Sequence, residues 1–273
     1  MVGPRVGLTL PSFVRDPDEV FAVVEAAEAA GLDGVFCYDH IFRVAADGSH
    51  RPALESTALM GAVASVSSRL HVGSLVIRAS LRPAALTALT LSTVNRISGG
   101  RVIGAIGAGD SESERENEQF GLAFGSIEDR LAELRDAVRA TRDQGFPVWV
   151  GGLHRDVRAL AAAEADGWNR WGGEVDRFRE QAAAIMRAAV RRPFACSWGG
   201  LVVMDHSDDA AQAKAERVGA GPGALVGGPG TIAEAFAAYA DAGAHWVIAG
   251  PVDSRDPDNA VILAEVKARR GRS

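Results

Sequence analysis

Three short stretches of this chain place polar or small residues directly after apolar runs, where a strand hands over to a loop. The first is Asp39-His40, which follows Val35-Phe36-Cys37-Tyr38. A carboxylate beside an imidazole can tune a group that gives or takes a proton near neutral pH. The same pair also suits a capped loop with a surface histidine, and the residue types leave both readings open. The second is Gly107-Ala108-Gly109-Asp110, after Val102-Ile103-Gly104-Ala105-Ile106. Glycines at 107 and 109 remove side chains where a ligand could approach the backbone, and they leave amides free to cradle an anion. A turn with positive φ would ask for glycine equally well. Asp110 then sets a carboxylate at the mouth of that strand. The third is Gly151-Gly152, after Val148-Trp149-Val150.

Other chemistries find less support. The histidines His40, His50, His71, His154, His206 and His245 form no His-x-His or His-Glu-x-x-His pattern, and Cys37 and Cys196 form no Cys-x-x-Cys pair, so no metal site is expected. There is no Gly-x-Ser-x-Gly elbow for a nucleophilic serine, and no Gly-Lys-Ser/Thr follows the glycine loop. Trp149, Trp168, Trp171, Trp198 and Trp246 sit in or beside apolar runs. Core packing is their default explanation, with Trp168 and Trp171 as candidates for stacking on a cofactor.

Positioning these residues falls to an alternation of short apolar runs with longer Ala/Leu/Glu/Arg runs of helical period. The strands expected are Arg5–Leu10, Gly34–Tyr38, His71–Ile77, Val102–Ile106, Val148–Val150, Gly167–Trp171, Phe194–Val203 and His245–Ala249. The helices expected run from Asp16 or Asp18 to Ala30, then Ala53–Ser67, Pro83–Ile97, Ile127–Asp143, Arg155–Ala165, Val175–Val190, Asp208–Val218, Thr231–Ala242 and Asn259–Arg269. Strands this continuously apolar belong to a parallel sheet covered by helices. Eight such units over 273 residues give an α/β fold, a (β/α)8 TIM barrel, as one domain spanning 1–273. An open doubly wound sheet fits less well, because the first strand ends in Leu10-Pro11-Ser12 without a Gly-x-Gly-x-x-Gly turn. In a barrel, ligands bind at the carboxyl ends of the strands, which is where all three stretches lie. Gly219–Gly230 is expected to be a long loop lining or crossing that open end.

Composition narrows the partners. The net charge is −6 without a long basic run, so neither nucleic acid nor an anionic membrane is an expected partner. Hydrophobic residues make up 47% and charged residues 23%, ordinary for a soluble enzyme. Two cysteines do not make a disulfide framework, Met1 to Leu10 lacks the features of a signal peptide, and no apolar run reaches membrane-spanning length. A cytoplasmic location is the expectation.

An ordered set of segments resembles the bacterial luciferase-like oxidoreductases, which use a flavin or a deazaflavin. The set runs Val6-Gly7-Leu8-Thr9-Leu10-Pro11, then Ala26 to Phe36 ending in Asp39-His40, then Arg69 to Val76. It continues with Arg82 to Ala88, Ser98 to Gly109, Pro147 to Gly152, Ala165 to Asn169 and Val226 to Gly230. Each piece is common, whereas their order over nearly the whole chain is specific. The resemblance implies a barrel that binds coenzyme F420, a deazaflavin, or alternatively FMN, at its open end and passes hydride between that ring and a small organic substrate. The Asp-His pair looks more like the deazaflavin branch. By position, the resemblance makes His40 a catalytic residue near the reactive ring edge and gives Asp39 a hydrogen bond to the ring. Leu75 and Val76 match a non-prolyl cis peptide that backs the ring. Gly107, Ala108, Gly109 and Asp110 match the loop beside it, with Asp110 standing where a glutamate acts as proton donor. Gly151 and Gly152 match backbone that receives the phosphate-bearing tail.

The chain departs from that pattern in places. Its link between Arg142 and Pro147 is very short, and Val44 stands where the family's sugar-phosphate dehydrogenases carry an aromatic residue. The alternatives to a deazaflavin enzyme are a reduced-FMN monooxygenase and a non-catalytic flavin-binding member of the fold. A homodimer is expected from the resemblance and from apolar residues on the second and third helices (Leu54, Leu59, Met60, Val63, Leu86, Leu89, Leu91).

Overall fold

The computed structural model describes residues 3–44 and 49–270; Met1 and Val2, part of the amino-terminal stretch read for a signal peptide, lie outside them. Strand β1 (Arg5–Thr9) leads to helix α1 (Asp18–Ala29), where the Asp16 carboxylate accepts a hydrogen bond from the Asp18 amide at 3.0 Å. Next come β2 (Gly34–Cys37) and an antiparallel hairpin of β3 (Phe42–Val44) and β4 (His50–Pro52). Helix α2 (Ser56–Val66) starts later than the sequence suggests, because the Glu55 carboxylate caps it by accepting from the Ala58 amide at 2.7 Å. Then follow β5 (His71–Ser74), β6 (Ile77–Arg78), α3 (Ala84–Ile97), β7 (Val102–Gly107), α4 (Ser111–Gln119) and α5 (Ile127–Thr141). The chain continues through β8 (Val148–Gly151), α6 (Arg155–Glu164), β9 (Gly167–Trp171), α7 (Val175–Ala188) and β10 (Ala195–Met204). It ends with α8 (Asp208–Val218), β11 (Leu225–Gly227), α9 (Pro229–Asp241), β12 (Trp246–Pro251) and α10 (Asp258–Arg270).

Eight parallel strands close in the order β1-β2-β5-β7-β8-β9-β10-β12 and back to β1. This is the (β/α)8 barrel expected from the alternation. Successive strand residues point to opposite faces. On β1 and β2, Val6, Leu8, Val35 and Cys37 join the large cluster under the helices. The other face fills the barrel with Phe36, Ile103, Ala105, Trp149, Trp246 and Ile248. Aromatic rings inside so narrow a barrel need small residues beside them. A Cβ on Gly73 would stand 2.9 Å from the Phe36 ring and 2.9 Å from the Ile103 carbonyl oxygen. Trp246 meets Phe36 edge-on at 5.7 Å and Trp149 at 6.1 Å, which locks the three rings together.

Four features differ from the sequence reading. The expected strand His71–Ile77 is split into β5 and β6 around a cis Leu75–Val76 peptide. Gly219–Gly230 is not one long loop. Gly219 ends α8 with φ +63°, β11 pairs in parallel with Val202–Met204 of β10, and α9 already begins at Pro229. The short β3–β4 hairpin and the helix α4 were not anticipated. Neither has the apolar periodicity that reveals an element in sequence. Among the described residues, no helix is long and apolar enough to cross a membrane.

The interior packing gives a contrast that can be measured. Gly73→Ala should destabilise the fold by roughly 1–3 kcal/mol through overpacking against Phe36 and Ile103. Gly61→Ala, in the middle of α2 with no atom within 4 Å of the added carbon, should stabilise it by about 0.5–1 kcal/mol. Urea unfolding of both variants checks the pair, and a neutral Gly73→Ala would refute the close-packing account.

Candidate active site

The mouth of the barrel has an apolar floor and an aromatic wall. Leu75 and Val76 are half-buried at the strand end, joined by the cis peptide that the resemblance implied. Val76 spreads its two methyls over β7 and β8, and a Cβ on either Gly107 or Gly151 would collide with one of them. Both are buried strand residues whose missing side chains make room for Val76. Ala108 is buried beside them. Gly109 (φ +76°) and Gly152 (φ +143°) turn the two loops away from the strands, as only glycine does readily.

Trp168 is fully buried, stacked on Phe178 at 6.0 Å with its indole N–H donated to the Gly152 carbonyl at 3.0 Å. It is a core residue and not a stacking platform. Trp171 stays half-buried at the mouth, over Gly199 and Gly250, and meets Tyr38 edge-on at 5.7 Å. The Tyr38 hydroxyl donates to the Thr9 hydroxyl at 3.1 Å, and burial pushes its pKa up to about 12, so it stays neutral. Phe13 packs on both Tyr38 (6.5 Å) and the His40 ring (5.9 Å), with the Arg43 guanidinium 5.8 Å above it. Cys37 and Cys196 face away into the core, where burial lifts both thiols to about 12.

Beside this wall lies a buried cluster of charges. Asp39 is 5% exposed and accepts four hydrogen bonds. Its Oδ1 takes the Ser56 hydroxyl at 2.6 Å and Arg82 Nη2 at 2.9 Å; its Oδ2 takes Arg82 Nη1 and the Arg78 amide, both at 2.8 Å. A carboxylate offers about four acceptor sites, so all are in use. Asp39 therefore ties strand ends together through Ser56, Arg82 and the Arg78 amide. His40 turns the other way. Its Nδ1 lies 2.5 Å from Glu116 Oε1, while Glu116 Oε2 accepts the Ile41 amide at 2.9 Å. Arg78 Nη2 stands 3.0 Å from the same Oε2, a charge contact off the N–H axis.

Glu116 was invisible in the sequence reading because α4, Ser-Glu-Ser-Glu-Arg-Glu-Asn-Glu-Gln, is polar all round. The helix is held by a polar stripe instead: Ser113, Glu116 and Asn117, at i, i+3 and i+4, are all buried. Asn117 accepts from Arg78 Nη1 at 3.3 Å and donates to the Ala123 carbonyl at 2.9 Å. The start of the helix was legible in principle, since Asp110 and Ser113 form a capping box. Asp110 accepts from the Ser113 amide at 3.0 Å and its hydroxyl at 2.9 Å. That gives this exposed residue a capping role, different from the proton donor implied for its position.

Burial alone would raise the Asp39 pKa. Hydrogen bonds and charge from Arg82, together with Ser56 and the Arg78 amide, more than reverse this and hold it below its ordinary value near 3.8. A folded-state pKa below the unfolded one gives stability that is present above about pH 4 and lost as the pH falls through the folded value. Asp39→Asn should remove that pH-dependent part. Urea unfolding between about pH 5 and pH 3 should show the wild type losing stability more steeply than the variant. Parallel curves would mean that Asp39 is not the acid-sensitive link.

The sequence profile of luciferase-like monooxygenases matches residues 2–144. An uncharacterized Mycobacterium tuberculosis protein is 28% identical over 60% of this chain and 69% of its own length. The F420-dependent glucose-6-phosphate dehydrogenase of Nakamurella multipartita is 30% identical over 50% of this chain and 38% of that protein. Among solved structures, an F420-dependent secondary alcohol dehydrogenase superposes with a TM-score of 0.80 at 16% identity, covering 97% of this chain and 98% of the other. EDTA monooxygenase from Chelativorans superposes with a TM-score of 0.80 at 11% identity, covering 99% and 95%. These two likenesses show the shared barrel. With its profile match running through the charge cluster and the glycine loop, the chain belongs to the luciferase-like monooxygenase family.

Proposed function

We propose that this protein is an oxidoreductase that binds the deazaflavin coenzyme F420 at the barrel mouth and acts on a small substrate bearing a hydroxyl or carbonyl group. The observation that carries the reading is the His40 ring, tethered at Nδ1 and 28% exposed, at a strand end next to the half-buried Leu75–Val76 pair. The half-buried apolar Leu75–Val76 pair, with the Tyr38 and Trp171 rings also at the mouth, suits a tricyclic ring. The family's F420-dependent relatives support the same choice. Leu75 and Val76 would back the ring. The loops at Ala108-Gly109 and Gly151-Gly152, the latter opening into the amino end of α6, would face the anionic tail.

The bound cofactor supplies hydride transfer, and this chain supplies proton handling. In the oxidation direction His40 Nε2 takes the substrate's hydroxyl proton, and in reduction it returns it. Asp39 and Arg82 hold the strand end that carries His40. Val44, where the sugar-phosphate dehydrogenases have an aromatic residue, speaks against a sugar phosphate as substrate.

We also infer a homodimer. Of the residues first expected to carry it, Leu59, Met60, Val63 and Leu91 are buried in the chain's own core. Leu86 and Leu89 remain exposed, together with Ile97 and Val66, on the outer faces of α2 and α3. Arg96 is the lone charged residue on these two helices. Light scattering at micromolar concentration should give twice the chain mass, and Leu89→Glu should return it to one.

Fluorescence titration should show F420 binding more tightly than FMN; submicromolar FMN binding without F420 binding would move the site to a flavin monooxygenase. His40→Ala should then lower turnover by about 10²–10⁴-fold while cofactor affinity changes little. Cofactor binding without turnover of any donor would instead mark a non-catalytic member of the fold.

A further inference from the structure

We propose that Glu116 is the positioning residue that decides which nitrogen of His40 carries the proton. The catalytic consequence rests on the function proposed above; the protonation pattern itself does not. The His40 Nδ1–Glu116 Oε1 separation is 2.5 Å, and the carboxylate side chain is 6% exposed. A carboxylate only accepts, so the neutral ring must present Nδ1–H to it. The proton is then absent from Nε2, whose lone pair is left available on a side chain that is 28% exposed. A histidine of this kind can receive a proton at the mouth. The opposite tautomer could only donate there.

Glu116 itself cannot drift to another arrangement. Its Oε2 accepts the Ile41 amide at 2.9 Å and lies 3.0 Å from the charged Arg78 guanidinium, so Oε1 is the oxygen left for His40. Arg78 is in turn 3% exposed and tied through its amide to Asp39. When His40 Nε2 accepts a substrate's hydroxyl proton, while the hydride leaves the same carbinol carbon for the deazaflavin and a carbonyl remains, the ring becomes an imidazolium. The Nδ1 proton stays where it was, and the Glu116 charge stabilises the cation without taking the proton. Bringing Glu116 to this place explains why an all-polar helix follows β7 with its Ser113-Glu116-Asn117 stripe turned inward.

The decisive variant is Glu116→Gln. A glutamine has one acceptor oxygen, and the Ile41 amide claims it while the Arg78 charge favours oxygen over an NH2 group at that place. The NH2 group is then left against His40 Nδ1, which must become the acceptor, and the proton moves to Nε2. Two-bond ¹⁵N–¹H NMR of the imidazole reads the tautomer directly in the cofactor-free protein, at a pH where the ring shifts no longer change. The wild type should show Nδ1–H and E116Q should show Nε2–H. In turnover, E116Q should lose about 10²-fold or more in kcat with the F420 Kd unchanged. A wild-type ring protonated at Nε2, or an E116Q ring still protonated at Nδ1, would overturn the proposal. The wild-type spectrum needs no variant to fold. It also stands if F420 fails to bind, so failure of the functional reading and failure of the tautomer assignment are told apart.

Discussion

A charge taken out of water has to be met by an opposite charge or by several hydrogen bonds, and three buried charges with the partly buried Arg82 at one side of the barrel mouth impose that condition on everything around them. Asp39 and Glu116 face Arg78 and Arg82, so the four sum to zero. They arrive from separate places in the chain: the end of β2, the strand β6, the turn before α3, and α4. Each must come to its position for the others to be tolerated. The Arg78 amide bonded to Asp39 and the Arg78 guanidinium beside Glu116 make one residue the hinge between both halves. Removing a member leaves an uncompensated charge worth roughly 3–5 kcal/mol, a large share of the stability of most domains. The cluster therefore works as a clamp on the strand ends, and the geometry of His40 is a by-product of that clamp.

Below the mouth the constraint is volume. Phe36, Trp149 and Trp246 fill the interior, and glycines such as Gly73 and Gly167 stand where any side chain would meet a ring or a neighbouring carbonyl. The same exchange recurs one layer higher, where Val76 occupies the space left by Gly107 and Gly151. Glycines that look in sequence like room for a ligand are here room for the protein's own side chains.

What could be read from sequence follows from what leaves a periodic trace. The eight barrel strands are continuous apolar runs and their helices carry a 3.6-residue apolar period, so the barrel was legible nearly element by element. Asp39, His40, Leu75 and Val76 were legible as strand-end residues, partly through the family resemblance. Glu116 was not. It lies 76 residues from its partner His40 on a helix whose buried face is polar, and no hydrophobic pattern can report a polar burial. Leu59, Met60, Val63 and Leu91 were misread as surface for the opposite reason. A helix covering a barrel needs a wide apolar face merely to pack, and sequence does not say which part of that face is left over. The role of Asp110 was hidden by its dual suitability, since the carboxylate that could donate a proton also makes a good helix cap.

The division of labour between the two carboxylates is the last consequence of the clamp. In sequence, Asp39 is the natural companion of His40, being its immediate neighbour. In space the neighbour points the other way and is saturated by Ser56, Arg82 and the Arg78 amide. Adjacent residues at a strand end project to opposite sides, so an Asp-His pair cannot easily share one hydrogen bond across its own backbone. The histidine must find its acceptor on another element, and α4 supplies it. Asp39 is thus held below its ordinary carboxylate value by Arg82, Ser56 and the Arg78 amide, while the His40 ring is bonded elsewhere. A single carboxylate serving both duties would have to hold Arg82 as a permanent anion while also responding to the charge on an imidazole. Two carboxylates on two elements separate the structural duty from the chemical one, and Arg78 keeps them in register.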